Sequence, residues 1–176
     1  MTEELMDELN EKGRVIGKIT LDEAHKTGAW HRVIHVYLIN DKKEILLQLR
    51  SKNMFRHPNE WDISCGGHVA AGEKTNAAAQ REVKEELGIE LKKSDFRFFF
   101  TVRKITDDGD YHNRELVDVF VVKTKSYIDD FIIQKEEVAE IKYVPIKDFC
   151  AMVSNKQADL LQHEEYAKII PYLKKM

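Results

Sequence analysis

Length, composition and charge restrict the class of protein. The 176 residues suit a single domain, and 43% hydrophobic with 34% charged residues is typical of a globular chain rather than a disordered or fibrous one. Because the net charge is only −3 and both signs are interspersed, there is no broad positive surface, and we expect no nucleic-acid polymer as a partner.

The cysteines and the first residues bear on location. Cys65 and Cys150 are too few to build a disulfide framework, which favours a reducing cytoplasm. The first 13 residues are acidic and lack an apolar signal region, and no run approaches the roughly 18 apolar residues of a membrane span. We therefore expect a cytoplasmic protein with no membrane partner. For its oligomeric state, the expectation is a monomer or a homodimer.

The first half of the chain predicts strands followed by a helix. Runs rich in β-branched and aromatic residues predict three strands, over 14–20, 32–39 and 44–50. Residues 77–87 are mostly strong helix formers, with Thr75 as the expected N-cap and Gly88 as a left-handed C-terminal cap.

The second half predicts another hairpin and two more helices. Strands are predicted over 97–105 and 116–124, joined by a long loop around 107–110, and over 140–144. Helices are predicted over 146–154 and 156–174, the second kinked or ended by Pro171.

These elements predict one α+β domain over residues 1–176, a mixed sheet covered by helices. Within it, 1–30 would be an N-terminal extension with a β-hairpin and 156–176 a C-terminal helix.

The predicted helix over 77–87 concentrates negative charge. Glu82, Glu85 and Glu86 share one face within an arc of about 100°. Such a face is usually only solvated, and like charges at this spacing repel one another. A divalent cation such as Mg²⁺ or Mn²⁺, which prefers oxygen ligands, would neutralise them.

The wider stretch around these glutamates resembles the Nudix box. Nine positions match its pattern, namely Gly67, Glu73, Arg81, Glu82, Val83, Glu85, Glu86, Gly88 and Ile89. The resemblance implies a Nudix fold, an α/β/α sandwich around a mixed sheet. It also implies hydrolysis of a diphosphate bond in a small phosphorylated substrate, a nucleoside diphosphate linked to another moiety.

The resemblance also implies roles for the matching residues. The implied metal ligands are Glu82, Glu85 and Glu86, joined by Gly67 and Glu73. Bound Mg²⁺ or Mn²⁺ would activate water, while Arg81 would brace a carboxylate through a bidentate pair. The general base would be Glu82 or a carboxylate outside the box.

Other segments resemble the branch of the family that contains isopentenyl-diphosphate isomerases. These are "EAHKTGAWHRVIHVYLIN", "EILLQLRS" and "HPNEWDISCGGHVAAGE". By this resemblance, a possible second metal site is formed by His25, His31, His68 and Glu115. Asn113 stands where those isomerases carry another glutamate ligand.

One departure separates the chain from those isomerases. They carry a catalytic cysteine where this chain has Gly66, and Cys65 is one residue early, which on a strand reverses the side chain's direction. The departure favours a hydrolase, with Cys65 a small buried hydrophobe. Two alternatives stay open, an isopentenyl-diphosphate isomerase and a non-catalytic nucleotide-sensing domain.

Basic residues on one segment are candidates for substrate binding. Arg50, Lys52 and Arg56 precede Trp61 and would reach phosphate oxygens, unless they form a solvated loop. Trp61 is expected to pack beneath that loop. Phe55 and Tyr111 are candidates for lining the leaving-group pocket, whereas four further histidines, His35, His57, His112 and His163, are expected to be structural or solvent-facing.

Overall fold

In the computed structural model, which describes residues 5–176, nine strands form one mixed sheet. The strands are β1 Leu5–Leu9, β2 Val15–Thr20, β3 Trp30–Asn40, β4 Glu44–Arg50, β5 Trp61–Asp62, β6 Cys65–His68, β7 Phe96–Asp108, β8 Tyr111–Thr124 and β9 Val138–Pro145. The helices are α1 Leu21–Thr27, α2 Thr75–Leu87, α3 Ile146–Ser154 and α4 Tyr166–Leu173.

The long strand β3 organises the sheet. Along one edge it pairs in parallel with β8 over its whole length, from Trp30 opposite Arg114 to Asn40 opposite Thr124. Its other neighbours are β1, β6 and β4, each of which pairs with it antiparallel over a shorter stretch. Such a shared strand brings side chains from distant parts of the sequence onto the same two faces.

Two apolar cores lie on opposite faces of the sheet. Val83 and Leu87 of α2 are fully buried in the core that includes Ile34 and Val36. Residues of α3 and α4 are buried in the other core, which includes Tyr37. The predicted α/β/α sandwich around a mixed sheet is therefore confirmed.

The ends of α2 differ in how well the sequence predicted them. Gly88 ends the helix in the left-handed conformation, with φ 70°, as expected. The helix begins at Thr75, however, and Lys74 occupies the cap without a side-chain hydrogen bond. The loop before it is fixed instead by Glu73, whose carboxylate accepts the Ala70 N–H, so Thr75 lies in the first turn.

The helix predicted over 156–174 is shorter in the structure, where α4 covers only Tyr166–Leu173. The Trp61 N–H donates to the Asp159 carbonyl and the Leu161 N–H donates to the Trp61 carbonyl, so this segment runs beside β5. Pairing with the sheet thus outweighs helix propensity before Glu165. Pro171 lies inside α4.

Two other predictions about connections need correction. The hairpin between β7 and β8 has a tight two-residue loop at Gly109 and Asp110, not a long one, because Gly109 adopts a positive φ of 59°. The helix α1 was missed although Thr20 and Glu23 form a capping box at its start. The predicted N-terminal hairpin corresponds to β1 and β2, and residues 1–4 lie outside the described part.

Candidate active site

Arg81 ties together the acidic residues of the loop and helix. Its Nε and Nη2 donate to the two oxygens of Glu73 at 3.2 and 3.0 Å. Its Nη1 donates to Glu82 Oε1 at 2.8 Å and to Glu85 Oε2 at 3.1 Å. One guanidinium therefore orients three carboxylates, which would otherwise repel one another.

Glu73 is not a free carboxylate. Both of its oxygens are taken by Arg81, and one also accepts the Ala70 N–H at 3.1 Å. Arg81 further donates to the His68 carbonyl at 3.0 Å. The structure thus places Glu73 in the scaffold around Arg81, where the sequence had suggested a metal ligand.

Gly67 is required by the close approach of Glu82. A Cβ atom at Gly67 would lie 2.2 Å from the Glu82 carboxyl carbon, so the Glu82 side chain would have to move away. The glycine on β6 therefore leaves room for the Glu82 side chain above the strand.

Four carboxylates form what we call the glutamate cluster, defined as Glu82, Glu85, Glu86 and Glu137. The three members on α2 differ in exposure: the side chain of Glu85 is 53% exposed and that of Glu82 13%, while residue Glu86 is 3% exposed. Glu137 comes from the segment before β9 and was missed from the sequence, because no motif surrounds it.

Burial controls the charge of this cluster. It raises the pKa of Glu82 to about 7, against the opposing effect of Arg81. Burial and the neighbouring Glu82 and Glu137 raise the pKa of Glu86 well above its ordinary value. Glu86 Oε2 is buried and has no hydrogen-bond partner among residues 5–176. Carboxylates crowded in this way are stabilised by a cation.

A cavity of about 600 Å³ lies against the glutamate cluster. Its lining carries both signs of charge. Acidic lining residues include Glu82, Glu85, Glu115 and Glu137, and basic ones include Arg50, Arg56 and Lys104. A molecule with a phosphate group and a coordinated cation fits such a lining.

Three histidines converge beside this cavity, as the sequence suggested. One ligand nitrogen of each residue of the histidine cluster, defined as His25, His31 and His68, lies within 4.8 Å of the others. His31 is fully buried, and its Nε2 has no hydrogen-bond partner in the described range 5–176. Burial, reinforced by His31, lowers the pKa of His68 to about 4, so its imidazole is neutral and able to bind a metal near neutral pH.

Glu115 and Asn113 adjoin the histidine cluster. Glu115 lies opposite His31 in the pairing of β3 and β8. Burial favours its neutral form, but Lys104, 3.2 Å away, together with Asn113 outweighs this effect and holds the pKa of Glu115 at about 2. The carboxylate is therefore ionised, and Lys104 is a partner that the sequence had not suggested.

Cys65 and Gly66 point to opposite faces of β6, as expected. Cys65 is fully buried in the core beneath α2, and burial together with Glu86 raises the pKa of its thiol well above the ordinary value. Gly66 lines the cavity and pairs with His35 of β3. No thiol therefore faces the cavity at Gly66.

The predicted phosphate-binding residues divide into two groups. Arg50 and Arg56 line the cavity, and Arg50 Nη2 donates to the Arg56 carbonyl at 3.2 Å. Lys52 is exposed and is not part of the lining.

The aromatic candidates also differ in whether they line the cavity. Tyr111 lines the cavity with the Arg56 guanidinium 4.2 Å from its ring centroid, whereas Phe55 is 91% exposed and lies outside it. Trp61 packs in the core beneath the loop, as expected.

Comparison with known proteins identifies the family. The NUDIX domain model matches residues 29–170. The chain belongs to the Nudix family. Curated relatives that the chain matches include proteins named Nudix hydrolases.

Two curated relatives place the Nudix chain within this family. It is 36% identical over 183 residues to Nudix hydrolase 3 of Arabidopsis thaliana, a match that covers 99% of this chain and 24% of the relative. The chain thus spans about a quarter of that relative's length. It is also 34% identical over 101 residues to an isopentenyl-diphosphate Delta-isomerase of Pectobacterium atrosepticum, covering 57% of this chain and 56% of that one. Relatives of the isomerase type are therefore present, as the sequence suggested.

A solved structure supports the fold. A protein from Deinococcus radiodurans superposes with a TM-score of 0.72 at 21% identity, covering 97% of this chain and 99% of that chain. Across residues 5–176, helices are too short or too polar to traverse a lipid bilayer.

Proposed function

We propose that this Nudix enzyme hydrolyses a diphosphate bond in a nucleoside diphosphate linked to another moiety, with Mg²⁺ or Mn²⁺ held by the glutamate cluster. The observation that carries the proposal is the placement of Glu82, Glu85 and Glu137 on the wall of one cavity whose other lining residues include Arg50 and Arg56.

The residues of the glutamate cluster fit a hard divalent cation. The donors are carboxylate oxygens, which Mg²⁺ and Mn²⁺ prefer over nitrogen or sulfur. Glu86 Oε2 is buried without a partner among residues 5–176, so a ligand or water must satisfy it. Glu82, Glu85 and Glu86 would hold the cation, which when bound lowers the pKa of water and offsets charge developing on the phosphate.

The chain's own residues would perform the remaining steps. Arg81 fixes the orientation of Glu82 and Glu85, so their oxygens need little rearrangement when substrate binds. The proton of the attacking water passes to Glu82 or Glu137. Both carboxylates line the cavity in which the attacking water would lie. Arg50 and Arg56 bind non-bridging phosphate oxygens.

We also propose a second divalent cation in the histidine cluster. His31 Nε2 and Asn113 Oδ1 are both buried without a hydrogen-bond partner in the described part of the chain, and Glu115 supplies a carboxylate nearby. Histidine nitrogen and carboxylate oxygen together suit several divalent ions.

We also propose a cell compartment, a class of substrate and an oligomeric state. Both cysteines are free and buried, which is compatible with a reducing cytoplasm. The substrate is a small phosphorylated molecule rather than a nucleic-acid polymer, and the chain acts as a monomer or homodimer.

A substrate panel tests the hydrolase proposal. Purified protein with Mg²⁺ or Mn²⁺ is incubated with nucleoside di- and triphosphates, sugar nucleotides and dinucleotide diphosphates, and phosphate-containing products are measured. We expect turnover of at least one compound that is abolished by a chelator and by Glu85→Gln or Glu86→Gln. If no compound is cleaved, or if both variants retain wild-type turnover, the proposal is wrong.

The same panel includes isopentenyl diphosphate, because the isomerase relatives and the histidine cluster favour an isomerase as the second candidate. Formation of dimethylallyl diphosphate without release of phosphate would establish isomerase activity. Tight nucleotide binding with no turnover would instead indicate a sensing domain.

A further inference from the structure

His35 is held by a buried carboxylate that the glutamate and histidine clusters do not use. Its Nδ1–H donates to Glu165 Oε1 at 2.5 Å, and the Tyr37 hydroxyl donates to the same oxygen at 3.0 Å. Glu165 precedes α4 and is fully buried, as is Tyr37. The imidazole and the Tyr37 hydroxyl therefore converge on one buried carboxylate oxygen, which fixes the orientation of the ring.

The other edge of this ring faces the cavity. His35 belongs to the cavity lining and lies opposite Gly66 in the pairing of β3 and β6. A Cβ atom at Gly66 would lie 3.3 Å from His35 Cδ2 and 3.8 Å from His35 Nε2. Nε2 makes no hydrogen bond within residues 5–176, so it is available to a ligand in the cavity beside Gly66.

A second carboxylate-histidine pair supports the first. His163 Nε2 donates to Asp62 Oδ1 at 2.6 Å, and the rings of His163 and His35 lie 4.8 Å apart edge to face. Asp62 also lies 3.4 Å from Arg50 Nη1. Burial favours neutral Glu165, but His35 and His163 outweigh it and hold the pKa of Glu165 at about 2, so its carboxylate is ionised.

A metal ion does not explain this cluster well. Ligand atoms of His35, His163 and Glu165 lie within 4.8 Å of one another. Two ligands that are each about 2.1 Å from one ion lie roughly 3 Å apart. The shorter contact between His35 and Glu165 is that of a hydrogen bond, which indicates a positioned imidazole.

We propose that His35 is a further substrate-binding and catalytic residue, which donates a hydrogen bond from Nε2–H to an oxygen of the bound diphosphate, and that Glu165 is its positioning residue. The imidazolium form has donors on both ring nitrogens, and the Glu165 carboxylate supplies its counter-charge. The inference rests on the proposed diphosphate substrate, and adds a donor on the sheet side of the cavity, beside Gly66.

Two substitutions separate this role from a structural one. His35→Asn places an amide nitrogen near the position of Nδ1, so it keeps the bond to Glu165 but removes the nitrogen that faces the cavity. His35→Gln places an amide nitrogen near the position of Nε2 and keeps a donor toward the substrate. We expect kcat/KM to fall about 10- to 100-fold in His35→Asn with little change in melting temperature, and to recover in part in His35→Gln.

Two further variants, Glu165→Gln and His112→Asn, complete the experiment. Glu165→Gln preserves shape but removes the counter-charge of His35, so we expect kcat to fall with a smaller change in KM. His112→Asn is the matched control, because His112 pairs with Asp107 on the surface. It should retain wild-type kcat/KM and melting temperature.

The result that overturns the inference is a His35→Asn variant with wild-type kcat/KM, or one metal ion per chain that is present in wild type and lost from both His35→Asn and Glu165→Gln. Failure of the hydrolase proposal is recognised separately. If the substrate panel shows no turnover, binding of methylenediphosphonate with Mg²⁺ is measured by calorimetry. Affinity weakened at least 10-fold in His35→Asn would sustain the role of His35, and unchanged affinity would end it.

Discussion

The glutamate cluster and the buried pairs of His35 and His163 contribute residues to the wall of the same cavity but are built in different ways. Glu82, Glu85 and Glu86 lie within five residues on α2, and Arg81 of the same turn orients two of them. His35 meets Glu165 across 130 positions of sequence. The glutamate cluster is formed by residues that are close in sequence, whereas the buried pairs form only when the sheet has folded.

The difference extends to electrostatics. Burial raises the pKa of Glu86, and the neighbouring Glu82 and Glu137 raise it further, so its ionised form lacks a compensating positive charge that a cation can supply. In the buried pairs each carboxylate accepts a hydrogen bond from an imidazole, so each has its partner within the protein. The glutamate cluster is therefore suited to recruit a cation, and the buried pairs to keep side chains in place.

The largest expected effect contrasts the two clusters that are proposed to bind metal. Glu82→Gln removes a charge that faces the cavity and should lower kcat/KM about 1,000-fold, because metal activation is worth several kcal/mol. His31→Asn should change hydrolysis by less than about threefold yet reduce the metal content by one ion per chain. Steady-state kinetics and metal analysis of both variants check this. Equal losses of turnover would mean that both clusters serve hydrolysis.

The second expected effect concerns stability. His163→Asn leaves Asp62 buried without its 2.6 Å partner and should lower the free energy of unfolding by about 3 kcal/mol, measured by urea denaturation. His112→Asn, which removes an exposed pair, should leave the free energy of unfolding nearly unchanged. Similar values for the two variants would contradict a stabilising role for the buried pair.

The difference in the free energy of unfolding between wild type and His163→Asn depends on pH in a direction that follows from the two pKa shifts. Asp62 has a lowered pKa in the fold, so its contribution is present above the unfolded value near 3.9 and is lost as the pH falls toward the folded pKa. His163 has a raised pKa, so its contribution is complete below the unfolded value near 6.5 and is lost as the pH rises through the folded pKa. The gap between wild type and His163→Asn should therefore be widest between about pH 4 and 6.5.

A third prediction tests the packing beneath the glutamate cluster. Gly67→Ala would place a methyl group 2.2 Å from the Glu82 carboxyl carbon and displace that side chain. We expect apparent Mg²⁺ affinity to weaken about 10- to 100-fold. A titration of activity with Mg²⁺ measures this. Gly72→Ala separates this displacement from backbone strain, because a Cβ there meets nothing within 4 Å whereas the φ of 78° strains an alanine.

The smallest expected effect concerns the orientation of the carboxylates. Arg81→Lys keeps the positive charge but cannot bind Glu73 through two parallel hydrogen bonds while also contacting Glu82. We expect kcat/KM to fall about tenfold. Lys84→Gln on the exposed side of the same helix should have no effect. An unchanged Arg81→Lys enzyme would show that charge alone, without geometry, suffices.

Part of the fold could be predicted because its signals are local. The strand over 44–50 and the helix over 146–154 were predicted at their observed bounds, since alternation and helix propensity act over a few residues. The segment 156–165 was misassigned because its pairing with Trp61 is a long-range contact. The capping box of α1 was a usable signal that was overlooked.

The candidate site shows the same division. The spacing of the glutamates, the two glycines of β6 and the three histidines could be recognised along the chain. Glu73 was taken for a metal ligand because the sequence does not reveal that Arg81 claims both of its oxygens. Glu137 carried no signal at all. His35 had a weak one, since it is a polar residue among the buried positions of β3.

The sequence by itself determined the family, the α/β/α architecture and the face of α2 that carries the glutamates, because these depend on spacing within short segments. Only the tertiary structure decided which of the polar residues meet. The parallel pairing of β3 with β8 sets Glu115 opposite His31, and the packing of the segment before α4 against the sheet brings Glu165 to His35. Contacts between such distant residues depend on how the chain folds in three dimensions, which spacing along the chain does not encode.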